Sequence, residues 1–327
     1  MVSDRPEVVT LDRVHALIKP REVIEAVREG LIAHARGLVQ SPMPGLLTFE
    51  DPLGDCHIKF GHVRGEPFYL VKIASSGYRN ERLGMSVNDG VVVVLSAETG
   101  RVQTILLDEG WLTAWRTAAA GALAAQALSP PELGTIGVFG AGLQARLQLE
   151  WLKEVVSCRC VVAWARRPDK LAELCQYLEK MGFDARPVSN PADVVLQSQL
   201  LVTATVAKSP LFSSQHLQPG THITAVGADS PGKQELDPEC FARAACIATD
   251  DHMQCLAFGE FGIAVRAGVV TSSDDTSLGS ILAGDVTLSR LPSDITIADL
   301  TGVAAQDAAI ASYVTRKLGT LEPVNLN

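Results

Sequence analysis

The stretch Thr135–Arg146, TIGVFGAGLQAR, constrains this chain more than any other. It sets Gly140-Ala141-Gly142-Leu143-Gln144-Ala145, a G-x-G-x-x-A run, directly after an apolar strand and directly before a helix. Gly140 permits the tight turn, Gly142 has no Cβ to block a pyrophosphate, and Ala145 lets helix and strand pack closely. The helix start then offers free N–H groups and a positive dipole end to phosphates. A plain βα turn is the bland alternative. The strand before and the helix after are what favour a bound dinucleotide.

The chain downstream of this loop alternates apolar runs with helical segments. Thr135–Phe139, Arg159–Ala165, Leu200–Thr205, His222–Val226 and Ala244–Ala248 read as strands, with Ile295–Ala298 as the last. Leu143–Val155 and Pro168–Met181 read as helices. That order predicts a doubly wound parallel sheet with helices on both faces, a Rossmann-type α/β fold. Upstream the pattern differs. Residues 20–36 carry Val23, Ile24, Val27, Leu31 and Ile32 at helical spacing behind Pro20. A Gly/Pro-rich stretch, SPMPGLLTFEDPLGD, then leads into β-like runs at His57–Val63, Pro67–Ile73, Gly90–Ser96 and Arg101–Leu107. The last two are joined by a turn over Ala97-Glu98-Thr99-Gly100, so this region is antiparallel.

The Ala-rich run Trp115–Leu128 predicts a helix, ended by Ser129-Pro130-Pro131. The tail Gly302–Leu318 reads as a helix returning to the first region. The expected organisation is an α+β domain of residues 1–115 plus 304–327. A dinucleotide-binding domain of residues 116–303 is inserted between its parts, with helix 116–128 as the bridge.

The end of the second strand of such a domain selects the cofactor. An acid there bonds the ribose 2′-hydroxyl of NAD; an arginine accommodates the 2′-phosphate of NADP. Here the strand ends at Ala165, followed by Arg166 and Arg167, with no acid before Asp169. This favours NADP(H), with NAD(H) as the alternative. Two solvated loop arginines would give the same pattern.

Five segments together resemble the ornithine cyclodeaminase/μ-crystallin family of NAD(P)-dependent enzymes. They are Leu112–Leu128 (LTAWRTAAAGALAAQAL), Gly137–Arg146 (GVFGAGLQAR), Thr203-Ala204-Thr205, Ala225–Asp237 (AVGADSPGKQELD) and Leu300–Asp307 (LTGVAAQD). They occur in the family's order and span most of the chain. The resemblance implies that the first region binds substrate and forms a homodimer. It also implies hydride transfer at the α-carbon of an imino or amino acid. Lys72, in PFYLVKIAS, matches the family's strand lysine and Arg116 the arginine of its R-T-A motif. Both would hold the substrate carboxylate, with Lys72 also counted in the catalytic set. Asp229 matches the proposed general acid/base, for which an Asx-turn before Pro231 is the alternative. Thr203, Ala204, Thr205, Val226, Gly227, Ser230 and Lys233 would then lie against the cofactor.

Two departures bear on substrate. Ornithine-type members carry an acid where this chain has Lys59, in HIKF, and a cation there repels a distal ammonium. Many members carry an arginine where this chain reads Pro44-Gly45-Leu46, so Lys59 is a candidate helper in the carboxylate grip. Three functions follow from the resemblance. The first is an imino-acid or cyclic-ketimine reductase, or an alanine-dehydrogenase-like enzyme. The second is an ornithine- or lysine-type cyclodeaminase with catalytic NAD. The third is a non-catalytic NADP(H)-binding protein, against which the joint presence of Asp229, Lys72 and Arg116 counts.

Composition narrows the partners. Lys plus Arg is 28 and Asp plus Glu is 37, a net charge of −9, which argues against nucleic acid and anionic membranes. No apolar run approaches a bilayer span, and MVSDRPEVVTLDR carries charges where a signal peptide needs an apolar stretch. A cytoplasmic protein is expected. The seven cysteines show no C-x-x-C pair and read as thiols rather than a metal or disulfide framework. His216 and His222 suggest no metal site; Asp250-Asp251-His252 reads as a helix start, and Asp274-Asp275 as a solvated loop.

Overall fold

The computed structural model describes residues 5–50 and 53–319. The first four residues, two of the Gly/Pro-rich stretch, and residues 320–327 of the expected first domain lie outside the described residues. Two compact units result. One runs to Arg116 and resumes at Val303; the other is Thr117–Gly302.

In the first unit, seven strands form one sheet. They are β1 (Glu7–Thr10), β2 (Val39–Gln40), β3 (Gly45–Thr48), β4 (Gly54–Val63), β5 (Phe68–Gly77), β6 (Asn88–Ser96) and β7 (Val102–Leu107). The order is β1-β7-β6-β5-β4-β2, with β3 also paired to β4. Strands β4 to β7 are antiparallel neighbours, as their patterning predicts. Strand β1, parallel to β7, was not anticipated, because charges flank its short apolar pair.

Side chains alternate across a sheet, so the register sorts residues onto faces. Val9, Leu106, Val92, Lys72 and Lys59 stand opposite one another across five strands, and all are buried. The neighbouring row is Val8, Ile105, Val93, Val71 and Phe60, and its two end residues are exposed. Helix Ala304–Leu318 packs on β4, on β5 and on helix Pro20–Ala35. The latter buries Val23, Ile24, Val27 and Leu31, four of the five positions its periodicity marks.

In the second unit, eight parallel strands lie side by side. They are β8 (Ile136–Phe139), β9 (Cys160–Trp164), β10 (Asp184–Pro187), β11 (Leu200–Thr203), β12 (His222–Ala225), β13 (Ala244–Thr249), β14 (Asp275–Ser277) and β15 (Ile295–Asp299). The order is β10-β9-β8-β11-β12-β15-β13-β14. Ile136, Val138, Leu200 and Val202 enter one core cluster, while Phe139, Leu201, Ile223 and Ile297 enter another. Both faces are therefore covered, as a parallel sheet requires. The chain reverses direction across the sheet at β8 and β11, the place where such folds bind ligands beyond the carboxyl ends.

Two details differ from the sequence reading. Helix Trp111–Leu128 starts ahead of Trp115, because the Asp108 carboxylate accepts the Leu112 N–H at 2.9 Å and caps it. Strand β15, the last in chain order as expected, inserts between β12 and β13. Asp275 is no solvated loop residue: it lies in β14 and accepts from Thr249 Oγ1 at 2.6 Å. A three-residue polar strand has no apolar signature to betray it. Asp251 does cap helix His252–Phe258, accepting the Gln254 N–H at 2.7 Å. No described helix is long and apolar enough to cross a membrane.

Candidate active site

The glycine loop follows β8 as the motif requires. Gly140 adopts φ +112°, and a Cβ there would meet the Ala204 carbonyl oxygen at 2.6 Å. Only glycine satisfies both conditions. Gly142 is extended and caps helix Leu143–Leu152; a Cβ built on it meets nothing within 4 Å. The approach to the helix start, with Ala141, Leu143 and Gln144 around it, is thus open to a phosphate, and the first turn carries no acid to oppose one. Ala145 is fully buried in the core beneath.

Past β9, Arg166 and Arg167 are exposed. Arg167 grips Asp169 with Nε and Nη2 at 3.3 and 2.6 Å, and holds that carboxyl below its usual range. One of the two arginines is therefore engaged locally.

At the carboxyl ends of β11 and β12, a residue without an expected role organises the backbone. Glu235 is fully buried and accepts from Thr203 Oγ1 at 2.7 Å, the Thr205 N–H at 2.6 Å and the Gly227 N–H at 2.9 Å. Thr203 thus turns its hydroxyl inward, onto Glu235. Ala204 bonds back to Phe139, and Val226 to Thr203. Glu260 in turn accepts the Glu235 and Leu236 N–H groups, and burial pushes its carboxyl up to about 8. Beyond β12, Asp229 is half-buried and pairs with Lys233 Nζ at 2.7 Å, while Ser230 Oγ donates to it at 3.3 Å. Asp229, Ser230 and Lys233 therefore form one local cluster.

In the first unit, Lys72 and Arg116 meet on a single carboxylate. Lys72 Nζ lies 3.0 and 2.9 Å from the two oxygens of Asp307, and Arg116 Nε donates to Asp307 Oδ1 at 2.9 Å. Arg116 Nη1 donates to Gln306 Oε1 at 3.0 Å. All four side chains are buried. Burial pulls Lys72 down to about 7, against the opposing pull of Asp307; Arg116 and Lys59 add to the lowering. Burial pushes the Asp307 carboxyl up, but Lys72, Arg116 and Lys59 outweigh it and hold it at about 2. Asp108 is also buried, and burial raises it to about 6. Shifts of this kind, on charges packed together, make the cluster a candidate functional site.

Asp307, Gln306, Asp108 and Glu235 were not singled out by sequence reasoning. Asp307 closes the matched segment LTGVAAQD, and Asp108 has the position of an N-cap, so both had a signal. Glu235 lies inside the matched segment AVGADSPGKQELD, but its partners, the Thr203 hydroxyl and the Thr205 and Gly227 N–H groups, come together only on folding. His222 is a neutral core histidine between Thr296 and Thr224, at 2.8 and 3.0 Å, with burial pulling it down to about 3. Among the described residues, no three His, Cys, Asp or Glu side chains gather to hold a metal ion.

Comparison with known proteins gives a consistent set. The ornithine cyclodeaminase/mu-crystallin family model matches residues 5–320. An uncharacterized cyclodeaminase of Sinorhizobium fredii is 38% identical over 279 residues, 84% of each chain. An archaeal alanine dehydrogenase dimer with bound NAD superposes with a TM-score of 0.88 at 30% identity, covering 98% of this chain and 99% of that one. The iminosuccinate reductase of Paracoccus denitrificans in complex with NAD⁺ gives 0.86 at 28% identity, covering 98% and 99%.

Proposed function

For this chain, which belongs to the ornithine cyclodeaminase/mu-crystallin family, we propose an NAD(P)-dependent oxidoreductase acting at the α-carbon of a small imino or amino acid. The observation that carries this reading is the buried Lys72–Asp307–Arg116 cluster. Two buried cations, Lys72 and Arg116, held side by side on Asp307 suit the carboxylate of such a substrate. The glycine loop suits the pyrophosphate of a dinucleotide, whose nicotinamide supplies or accepts the hydride. Asp229, with Lys233 and Ser230, is the proton-handling group for the substrate nitrogen. Thr205, Val226 and Gly227 line the cofactor side, braced by Glu235. The likeness to an alanine dehydrogenase and an iminosuccinate reductase supports the same class.

A parallel assay tests the reading. One arm follows NADPH and NADH oxidation with cyclic imines, with pyruvate plus ammonia or methylamine, and with iminosuccinate precursors. The other follows ammonia release from ornithine and lysine with catalytic NAD⁺. Turnover is expected in the first arm and little in the second. The cyclodeaminase relative keeps the second arm in play. Against it stands Lys59, buried directly opposite Lys72. Like charges about 4 Å apart repel by roughly 4 kcal/mol at an effective dielectric near 20. Even a fraction of that costs an ornithine side chain one or two orders of magnitude in affinity. Efficient ammonia release from ornithine would reverse the order of the two readings, and cofactor binding with no turnover in either arm would favour a non-catalytic NADP(H)-binding protein.

NADP(H) is the proposed preferred cofactor, on Arg166 and Arg167 at the end of β9. Replacing both with alanine is expected to weaken NADPH binding by about tenfold or more and to leave NADH binding nearly unchanged, since a charged hydrogen bond contributes roughly 1.5–3 kcal/mol. Fluorescence titrations of wild type and double variant with both cofactors decide this; equal wild-type curves would remove the preference.

We further propose a homodimer built on the first sheet. Its outer face carries Val8, Phe60, Ile73 and Leu107, all exposed, and the alanine dehydrogenase neighbour is a dimer. Light scattering at micromolar concentration should give twice the chain mass of 34.8 kDa. A monomer mass would overturn the assignment. A cytoplasmic setting accords with seven free thiols.

A further inference from the structure

We propose that Asp307 is the positioning residue of the carboxylate grip: it holds the Lys72 ammonium and the Arg116 guanidinium side by side, ready for an incoming carboxylate. The inference rests on the reading that Lys72 and Arg116 receive the substrate carboxylate, and adds what keeps those two cations together.

Lys72 comes from β5 and Arg116 from helix Trp111–Leu128, and nothing in their own elements requires them to meet. Left alone, two adjacent cations separate or one loses its proton, and Lys59 beside Lys72 adds to the repulsion. Asp307 reaches them from a third element, helix Ala304–Leu318, with oxygens 2.9–3.0 Å from both. Gln306, the preceding residue, takes Arg116 Nη1 and fixes the plane of the guanidinium. The helix is itself seated closely: a Cβ on Gly30 would lie 2.9 Å from both the Ala305 oxygen and the Ala309 Cβ. A carboxylate on so fixed a backbone sets the position of both cations before substrate arrives, and lowers the ordering cost of binding.

The charged groups around Lys72 are Lys59 on β4, Asp108 ahead of the bridging helix, Arg116 on it, and Asp307. Asp307 is the chief group that sustains the lysine's charge against burial. Losing its charge should therefore move deprotonation of Lys72 to lower pH.

Pyruvate binding to the NADH-loaded enzyme is the probe, because the pyruvate carboxylate stays ionised throughout a titration from mildly acid to alkaline pH; affinity is read by nicotinamide fluorescence. In wild type, affinity should fall as pH rises above about 7. Asp307→Asn should weaken binding at neutral pH by about tenfold or more and move this fall to lower pH by about one unit. Asp307→Glu keeps the charge but displaces it, so it should weaken binding several-fold with the fall unmoved. Lys72→Met and Arg116→Ala serve as controls. Should both bind pyruvate like wild type, or should wild type not bind it, the carboxylate reading fails and the inference with it. Should the controls be impaired while Asp307→Glu keeps wild-type affinity, the positioning role alone is overturned. The Glu variant decides this even if the Asn variant does not fold. Unchanged NADH affinity in each variant separates these effects from general damage.

Discussion

Replacing Asp229 with asparagine should lower kcat by about 10²–10⁴-fold, the usual range for loss of a general acid–base group. A carbon–nitrogen double bond is reduced readily only when the nitrogen carries a proton, and an amine product or substrate must exchange one. Asp229 is half-buried beyond β12, close enough to Lys233 for a 2.7 Å ion pair and within 3.3 Å of Ser230 Oγ. A carboxylate so held can stabilise a protonated nitrogen and relay its proton. The amide of the variant keeps the size and loses that capacity. NADPH affinity should change little, because the glycine loop and the Glu235 brace are untouched by the substitution. Steady-state kinetics with cofactor titration as a companion checks this. An Asp229→Asn enzyme with more than half its activity and normal cofactor binding would remove Asp229 from the mechanism.

Arg116→Ala should act on the other half of the chemistry. Loss of a guanidinium that grips a carboxylate removes one or two charged hydrogen bonds, each about 1.5–3 kcal/mol. That predicts a rise in KM of about two orders of magnitude and a still larger fall in kcat/KM. Arg116→Lys should recover part of the loss, since charge returns without the planar fork. The alanine substitution also takes a cation away from the buried Asp307, so a melting curve must accompany the kinetics. A variant that melts like wild type and keeps the wild-type KM would show that the substrate carboxylate binds elsewhere.

Much of the nucleotide-binding half was legible in advance because its determinants are local. A turn requiring φ +112° at Gly140, an open Gly142 and a small residue at Ala145 are demands that neighbouring residues make on one another, so they leave a motif. Asp229, Lys72 and Arg116 became candidates through resemblance, each lying in a stretch whose residues could be matched. Short β-like runs and the turn over Ala97–Gly100 likewise marked β4 to β7, because turn residues and strand formers are local signals too.

What folding alone decided is the company these residues keep. Lys72, Arg116 and Asp307 lie far apart in the chain, and their 2.9–3.0 Å contacts exist only because strand β5 and two helices are brought together. Glu235 reads as an ordinary charged residue in GKQELD, yet it is fully buried and bonded to the ends of β11 and β12. Asp275 reads as part of a solvated turn, yet completes a strand. The physical reason is common to all three. A charge's role depends on the charges, donors and solvent around it, and burial turns one side chain's neighbours into its chemistry. Periodicity records which face a residue takes; only the tertiary structure records which groups it meets there.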